Sequence, residues 1–124
     1  MASTATFESL GLDYRVLRSI EKRELKVPTS VQVAVIGKAL EGKDVVARAH
    51  TGSGKTLAYL APAVHTVLQQ SDLSPPFQVI VLVPTSELCE QVCTLSTAMV
   101  LATAGARCWS VLFKYCQKSS SYVK

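Results

Sequence analysis

The sequence has 124 residues, of which 48% are hydrophobic and 18% are charged, and these proportions are typical of one globular domain. No apolar run reaches the length of a membrane-spanning helix, and residues 1–8 lack the basic and apolar regions of a secretory signal, so we expect an intracellular protein in a reducing compartment. The net charge of +4 arises after residue 90, because the first 90 residues contain nine basic and nine acidic side chains.

Two helices are predicted in the first third of the chain. Residues 12–24 carry apolar side chains at helical spacing, and Asp13 is positioned to act as the N-cap. A proline then interrupts the pattern, and Thr29 or Ser30 can cap a second helix. We expect this second helix to end just before Gly42.

The middle of the chain changes from a strand pattern to a helix pattern. Residues 44–49 are a short apolar run that predicts a strand, and a glycine-rich turn follows at residues 51–54. Residues 55–70 have apolar side chains on one helical stripe. Pro62 lies within this predicted helix and is expected to kink it.

The same alternation continues further along the chain. Residues 71–77 contain two prolines and predict a loop, and residues 78–83 are an apolar run typical of a parallel strand covered on both faces. A helix is predicted at residues 86–103. A strand–helix–strand–helix series favours an α/β fold with a parallel sheet, flanking helices and right-handed crossovers.

The last twenty residues differ in character from the rest. Residues 106–116 could form one more strand, whereas residues 118–124 are expected to be unstructured. Four basic side chains and no acidic ones follow residue 90. Such a basic end can attract nucleic acid, or it can be a segment without a folded partner. We therefore predict a domain over residues 1–104 and a divergent, poorly ordered tail over residues 105–124.

The turn after the first predicted strand has the composition of a phosphate-binding loop. Its two glycines allow backbone N–H groups to converge on one anion, and the following helix directs the positive end of its dipole to the same place. The lysine can reach the outer phosphates, and the threonine hydroxyl can bind Mg²⁺. The residues of this loop are Ala49, His50, Thr51, Gly52, Ser53, Gly54, Lys55 and Thr56.

Two further motifs flank the loop. Phe7 precedes Gln32 by 25 residues, and Gln32 closes the run Pro-Thr-Ser-Val-Gln; residues 84–88, Pro-Thr-Ser-Glu-Leu, directly follow the second predicted strand. With the loop between them, the chain resembles a DEAD-box RNA helicase over about residues 7–104. The matches are the family's Q motif at residues 7–32, its motif I in the loop, and its motif Ia at residues 84–88.

The resemblance implies a set of roles. The fold would be the first half of the RecA-like N-terminal helicase domain, with ATP and Mg²⁺ as cofactors. Gln32 would recognise adenine through a bidentate hydrogen bond, Thr29 would support the loop, and Leu25 would cover the base. Thr56 would bind the metal. Motif Ia would contact the RNA backbone without selecting a base sequence, through Pro84, Thr85, Ser86 and Glu87.

A subgroup of the family is also indicated. Residues 40–49 and 88–92 are most similar to the nucleolar members that assemble the large ribosomal subunit. This similarity implies a nuclear, nucleolar location and preribosomal particles as partners, with no membrane association.

The sequence departs from the family pattern at several positions. Glu24 and Leu25 stand where glycine and an aromatic residue are common, and Ser86 replaces a basic residue. No Asp-Glu-Ala-Asp or Ser-Ala-Thr motif and no second motor domain occur in the 124 residues. We therefore expect a truncated product without ATP turnover, with two alternatives: a nucleotide-binding fragment with a regulatory role, or a non-enzymatic fragment with no stable fold. His50 and His65 have no sequence partner that suggests acid–base chemistry.

Overall fold

The computed structural model describes residues 5–69 and 79–103 of the chain. A short 3₁₀ turn at Glu8–Leu10 precedes four helices. None of the helices within these two ranges is long and apolar enough to span a membrane. The four helices predicted from the sequence are confirmed, and the predicted tail lies outside the described residues. The helices are α1 (Tyr14–Glu21), α2 (Ser30–Leu40), α3 (Lys55–Gln69) and α4 (Ser86–Thr103).

Both N-terminal helices begin at the caps that their sequences favour. The Asp13 carboxylate accepts a hydrogen bond from the Arg15 backbone N–H at 2.9 Å, which confirms Asp13 as the α1 N-cap. Thr29, rather than Ser30, caps α2. The Thr29 hydroxyl accepts from the Gln32 N–H at 3.4 Å, and the Gln32 side chain accepts from the Thr29 N–H at 2.9 Å. This reciprocal pair is a capping box.

Helix α3 contacts each of the other three helices. Its buried face includes Leu57, Leu60 and Val64, and these side chains belong to one hydrophobic cluster with Ile20 of α1 and Ile36 of α2. Because α3 begins at Lys55, within the phosphate-loop sequence, the core fixes the helix that carries this loop. Burial of such side chains contributes roughly 1.5–3 kcal/mol each relative to exposure.

Neither predicted strand is assigned within the described residues, which for the second strand begin at residue 79. A strand requires a neighbouring strand to pair with its backbone N–H and C=O groups. Residues 79–83 nevertheless show a two-residue alternation: Val81 and Val83 pack against the core, while Ile80 and Leu82 are 70% and 72% exposed. The segment therefore has the side-chain pattern of a strand with only one covered face.

One backbone conformation between α1 and α2 is unfavourable. Glu24 has a φ of 59°, and no other described non-glycine residue has a positive φ. A side chain in this left-handed region costs roughly 1–2 kcal/mol. Glycine is common at this position in the family that the chain resembles, and it avoids that steric cost. The substitution of this glycine by glutamate therefore places strain in the segment that leads to Leu25.

We expect Glu24→Gly to stabilise the chain. Relief of the left-handed strain exceeds the extra conformational entropy of glycine, so the free energy of unfolding should rise by about 0.5–1 kcal/mol. Glu21→Gly is the matched control, because Glu21 is helical and the same replacement there should lower the free energy of unfolding. Urea denaturation measures both. Equal destabilisation by the two substitutions would show that Glu24 is unstrained.

Candidate functional site

The glycine-rich loop forms a tight turn at the N-terminal end of α3. Gly52 and Gly54 have φ values of 82° and 83°, a region that side-chain-bearing residues rarely adopt. The Ser53 N–H donates to the His50 carbonyl at 3.3 Å, and the Ala58 N–H donates to the Gly54 carbonyl at 3.2 Å. The turn therefore passes directly into the first turn of the helix, as a phosphate-binding loop requires.

The ammonium group of Lys55 lies within this loop. It donates to the carbonyl oxygens of Ala49 and His50, both at 2.6 Å. These two bonds tie the start of the loop to the start of α3. Because a lysine ammonium has three donors on a flexible stem, Lys55 can exchange these partners for phosphate oxygens.

The first turn of α2 holds the loop from the other side. The Thr29 hydroxyl donates to the Ser53 carbonyl at 2.8 Å, and the Gln32 side-chain amide donates to the Gly54 carbonyl at 3.2 Å. Gln32 is only 5% exposed. Both atoms of its amide are therefore engaged: the oxygen caps α2 and the nitrogen binds the loop.

The loop also contains a buried hydroxyl that the rest of the described chain leaves without a partner. Ser53 is 9% exposed, and its Oγ finds no hydrogen-bond partner among the described residues. A buried polar group without a partner costs free energy. Three kinds of donor are therefore close together: this hydroxyl, the lysine ammonium and the backbone N–H groups of the positive-φ glycines. Such a set of donors fits an anion such as phosphate.

A groove of about 700 Å³ opens beside the loop. Lys55, Thr56 and Tyr59 of α3 line it together with Val83 and Leu88, the two residues that flank the 84–87 segment. The predicted metal-binding Thr56 is therefore close to the groove rather than inside the core. Burial raises the pKa of Tyr59, although a hydrogen bond with Thr56 opposes the shift, so the phenol stays neutral at ordinary pH.

The 84–87 segment lies on the surface. Pro84, Thr85, Ser86 and Glu87 are all exposed, as a contact surface for a backbone would require. Glu87 lies in the first turn of α4. Hydrogen bonds from its own backbone N–H and from the Thr85 side chain lower the pKa of Glu87. Its negative charge therefore persists near the end of the helix where an anion would be attracted.

Two predicted cofactor-binding residues, Leu25 and His50, have exposed side chains. Leu25 is 42% exposed in the turn between α1 and α2, and the His50 side chain is on the surface. His65, for which the sequence indicated no partner, accepts a hydrogen bond through Nδ1 from the Asp13 backbone N–H at 2.9 Å. The two residues are 52 positions apart, and no local pattern connects them.

Residues 29–114, more than half of the chain, match the family model described as DEAD/DEAH box helicase. The chain is 52% identical over 90 residues to "ATP-dependent RNA helicase dbp9" of Sclerotinia sclerotiorum, an alignment that covers 71% of this chain and 15% of the relative.

Two relatives from other groups of organisms give similar values. "DEAD-box ATP-dependent RNA helicase 16" of Arabidopsis thaliana is 45% identical over 98 residues, which cover 77% of this chain and 16% of the relative. "Probable ATP-dependent RNA helicase ddx56" of Dictyostelium discoideum is 49% identical over 89 residues, which cover 70% of this chain and 13% of the relative. The alignments thus cover 13–16% of the length of these curated relatives.

We predict that Gly54→Ala destabilises the chain more than Gly52→Ala. Both alanines would adopt a positive φ, at a cost of roughly 1–2 kcal/mol. A Cβ at position 54 would also clash with Gln32 Nε2 and lie 3.1 Å from its Cδ, whereas a Cβ at position 52 meets nothing within 4 Å. Displacing the Gln32 amide should add about 1–3 kcal/mol.

Urea unfolding of Gly52→Ala, Gly54→Ala, Gln32→Ala and the double variant Gln32→Ala/Gly54→Ala measures this contact. The double variant removes the clashing amide, so the two substitutions should be less than additive. Equal effects of the two alanines, or full additivity in the double variant, would show that Gln32 does not restrict the loop.

Proposed function

The chain belongs to the DEAD/DEAH box helicase family, and from this membership we propose that it is the ATP-binding portion of an ATP-dependent RNA helicase. The observation that carries the proposal is the contact of Thr29 and Gln32 with the carbonyls of Ser53 and Gly54. It joins the predicted adenine-recognising segment to a phosphate loop whose unpartnered Ser53 hydroxyl and positive-φ glycines fit an anion.

Residues of the loop would hold the triphosphate and its metal ion. Backbone N–H groups around Gly52 and Gly54, with the Lys55 ammonium, would bind phosphate oxygens. The Thr56 hydroxyl would be a ligand of Mg²⁺, which supplies positive charge that neutralises the phosphates. In this arrangement Lys55 exchanges its bonds to the loop carbonyls for bonds to phosphate.

Adenine recognition would require a similar exchange at Gln32. Its amide nitrogen donates to the Gly54 carbonyl and its oxygen accepts from the Thr29 N–H, so a bidentate pair with adenine needs both groups to turn from these partners. Leu25 would cover the base by apolar contact alone. An aliphatic side chain lacks the stacking that an aromatic ring would add.

The family's RecA-like fold supports strand roles for the two strand-like segments. We propose that residues 44–49 and 78–83 belong to one parallel sheet within a domain that covers residues 1–104. The high exposure of Val46, Ile80 and Leu82 supports this assignment, because neighbouring sheet elements would cover these side chains.

RNA is the proposed partner, bound through its sugar-phosphate backbone at residues 84–87. The exposure of this segment supports the proposal, while Ser86 and the charged Glu87 reduce its attraction for phosphate. The similarity to nucleolar helicases supports preribosomal particles as the setting.

Gln32→Ala tests adenine recognition. ATP should bind the 124-residue chain more tightly than GTP by roughly 1–3 kcal/mol, the usual discrimination of a bidentate amide–adenine pair. The substitution also removes the Gly54 contact, which weakens both triphosphates alike, so the ATP/GTP ratio of dissociation constants is the readout. Calorimetric titration should give a ratio near one for Gln32→Ala. An unchanged ratio would exclude base recognition by Gln32.

A second measurement separates hydrolysis from binding. The 124 residues contain no Asp-Glu-Ala-Asp motif, which in the family belongs to the groups that position Mg²⁺ and the attacking water. We expect ATP binding without RNA-stimulated phosphate release, as in a non-hydrolysing nucleotide-binding module. Phosphate release above background, abolished by Lys55→Ala, would contradict this expectation. Failure of wild type to bind ATP would contradict the proposed function itself.

A further inference from the structure

A cluster of polar contacts joins the N-terminus of α1 to the last turns of α3. The Asp13 N–H donates to His65 Nδ1 at 2.9 Å, Arg15 Nη2 donates to the Leu68 carbonyl at 3.1 Å, and the Gln69 amide donates to Asp13 Oδ2 at 3.0 Å. We name these five residues the α1–α3 clasp. None of them has a role in the nucleotide or RNA contacts described above.

The clasp is internally organised. Arg15 donates to both carboxylate oxygens of Asp13, at 2.9 and 3.0 Å, and these bonds lower the pKa of Asp13. The Asp13 side chain is 7% exposed and that of Arg15 is 31% exposed. A partly buried, charge-assisted fork fixes the direction of both side chains. Arg15 is thereby aimed at a carbonyl in the last turn of α3, where helices leave such groups without partners.

The clasp lies at the opposite end of α3 from the phosphate loop. The helix has 15 residues, which correspond to about 22 Å at 1.5 Å per residue. Pro62, near its middle, has no N–H for the helical bond to residue 58, and a proline in this position permits bending. Each end of α3 has its own polar anchor: Thr29 and Gln32 hold the loop end, and the clasp holds the other end.

Nucleotide binding would change the relative contributions of these two anchors to holding α3 in place. If Gln32 turns to adenine, the loop end loses its bond to the Gly54 carbonyl and keeps the Thr29–Ser53 bond. The clasp then becomes a larger part of the polar contact between α3 and the N-terminal helices. A contact that matters more in the bound state than in the free state raises ligand affinity, whereas one that matters equally changes only stability.

We propose that Asp13, Arg15 and His65 are positioning residues for nucleotide binding, which hold α3 and its loop in place against α1 when Gln32 engages the base. This inference rests on the proposed ATP-binding function. In this role His65 accepts a hydrogen bond through Nδ1. A neutral His65 must therefore carry its proton on Nε2.

The test compares His65→Leu with His65→Asn in calorimetric titrations of the 124-residue chain with MgATP. Asparagine places its acceptor Oδ1 on Cγ, at the position where histidine has Nδ1, and has a helix propensity close to that of histidine. Leucine favours the helix more but offers no acceptor. We expect His65→Leu to weaken MgATP binding roughly 2- to 30-fold, the range found for changes remote from a ligand, and His65→Asn to restore it to within about twofold.

A second pair guards against a folding defect in the first. Arg15→Ala removes the bond to the Leu68 carbonyl, and Arg18→Ala is its control, because Arg18 is exposed on the same helix. Only Arg15→Ala should weaken binding. Titrations are made at a temperature where circular dichroism shows wild-type helix content for every variant.

The outcomes separate the two proposals. Wild-type affinity in both His65→Leu and Arg15→Ala, with lowered melting temperatures, would make the clasp a stabilising contact only and overturn the inference. Equal weakening by leucine and asparagine would also overturn it, because the acceptor would then be irrelevant. If wild type binds no MgATP, the proposed function fails together with the inference. Nitrogen chemical shifts of His65 give an independent readout, since they identify the tautomer.

Discussion

The hydrogen bonds from Thr29 and Gln32 to the loop carbonyls are the interaction on which the site depends. Each side chain has two duties. The Thr29 hydroxyl accepts from the Gln32 N–H and donates to Ser53, and the Gln32 amide accepts from the Thr29 N–H and donates to Gly54. The capping box of α2 therefore uses its remaining donors to hold the loop. Consequently the start of α2 cannot shift without disturbing the turn that precedes α3.

The parts of this arrangement that the sequence predicted are those set by short-range rules. A capping side chain bonds to an N–H within three residues, so the sequence indicated Asp13 as one cap and Thr29 or Ser30 as the other. The glycine turn of residues 51–54 was predicted from composition in the same way. The contact between Asp13 and His65 could not be predicted, because it depends on how two distant helices pack. Strand pairing is equally non-local, and the residues described contain no partner for either strand-like segment.

Two departures from the family pattern have physical consequences that the structure shows. Glycine at the position of Glu24 would adopt the observed left-handed conformation without steric strain, and the glutamate stores that strain in the turn before Leu25. At the start of α4, Ser86 stands where a basic residue would attract phosphate, and the neighbouring Glu87 keeps a negative charge. Under the proposed function, both departures would act against ligand binding, one through backbone conformation and the other through charge.

The energetic consequence for nucleotide binding follows from the engaged state of the site. Lys55 and Gln32 already have hydrogen-bond partners in the protein, so nucleotide binding at the proposed site would exchange bonds rather than add them. An exchange between neutral groups gains little net free energy, and Gln32 would therefore contribute selectivity for adenine more than affinity. Lys55 would exchange carbonyls for charged phosphate oxygens, which form stronger bonds. The triphosphate would then supply most of the binding free energy. The contacts that hold α3 and its loop in place would determine how much of this free energy is gained.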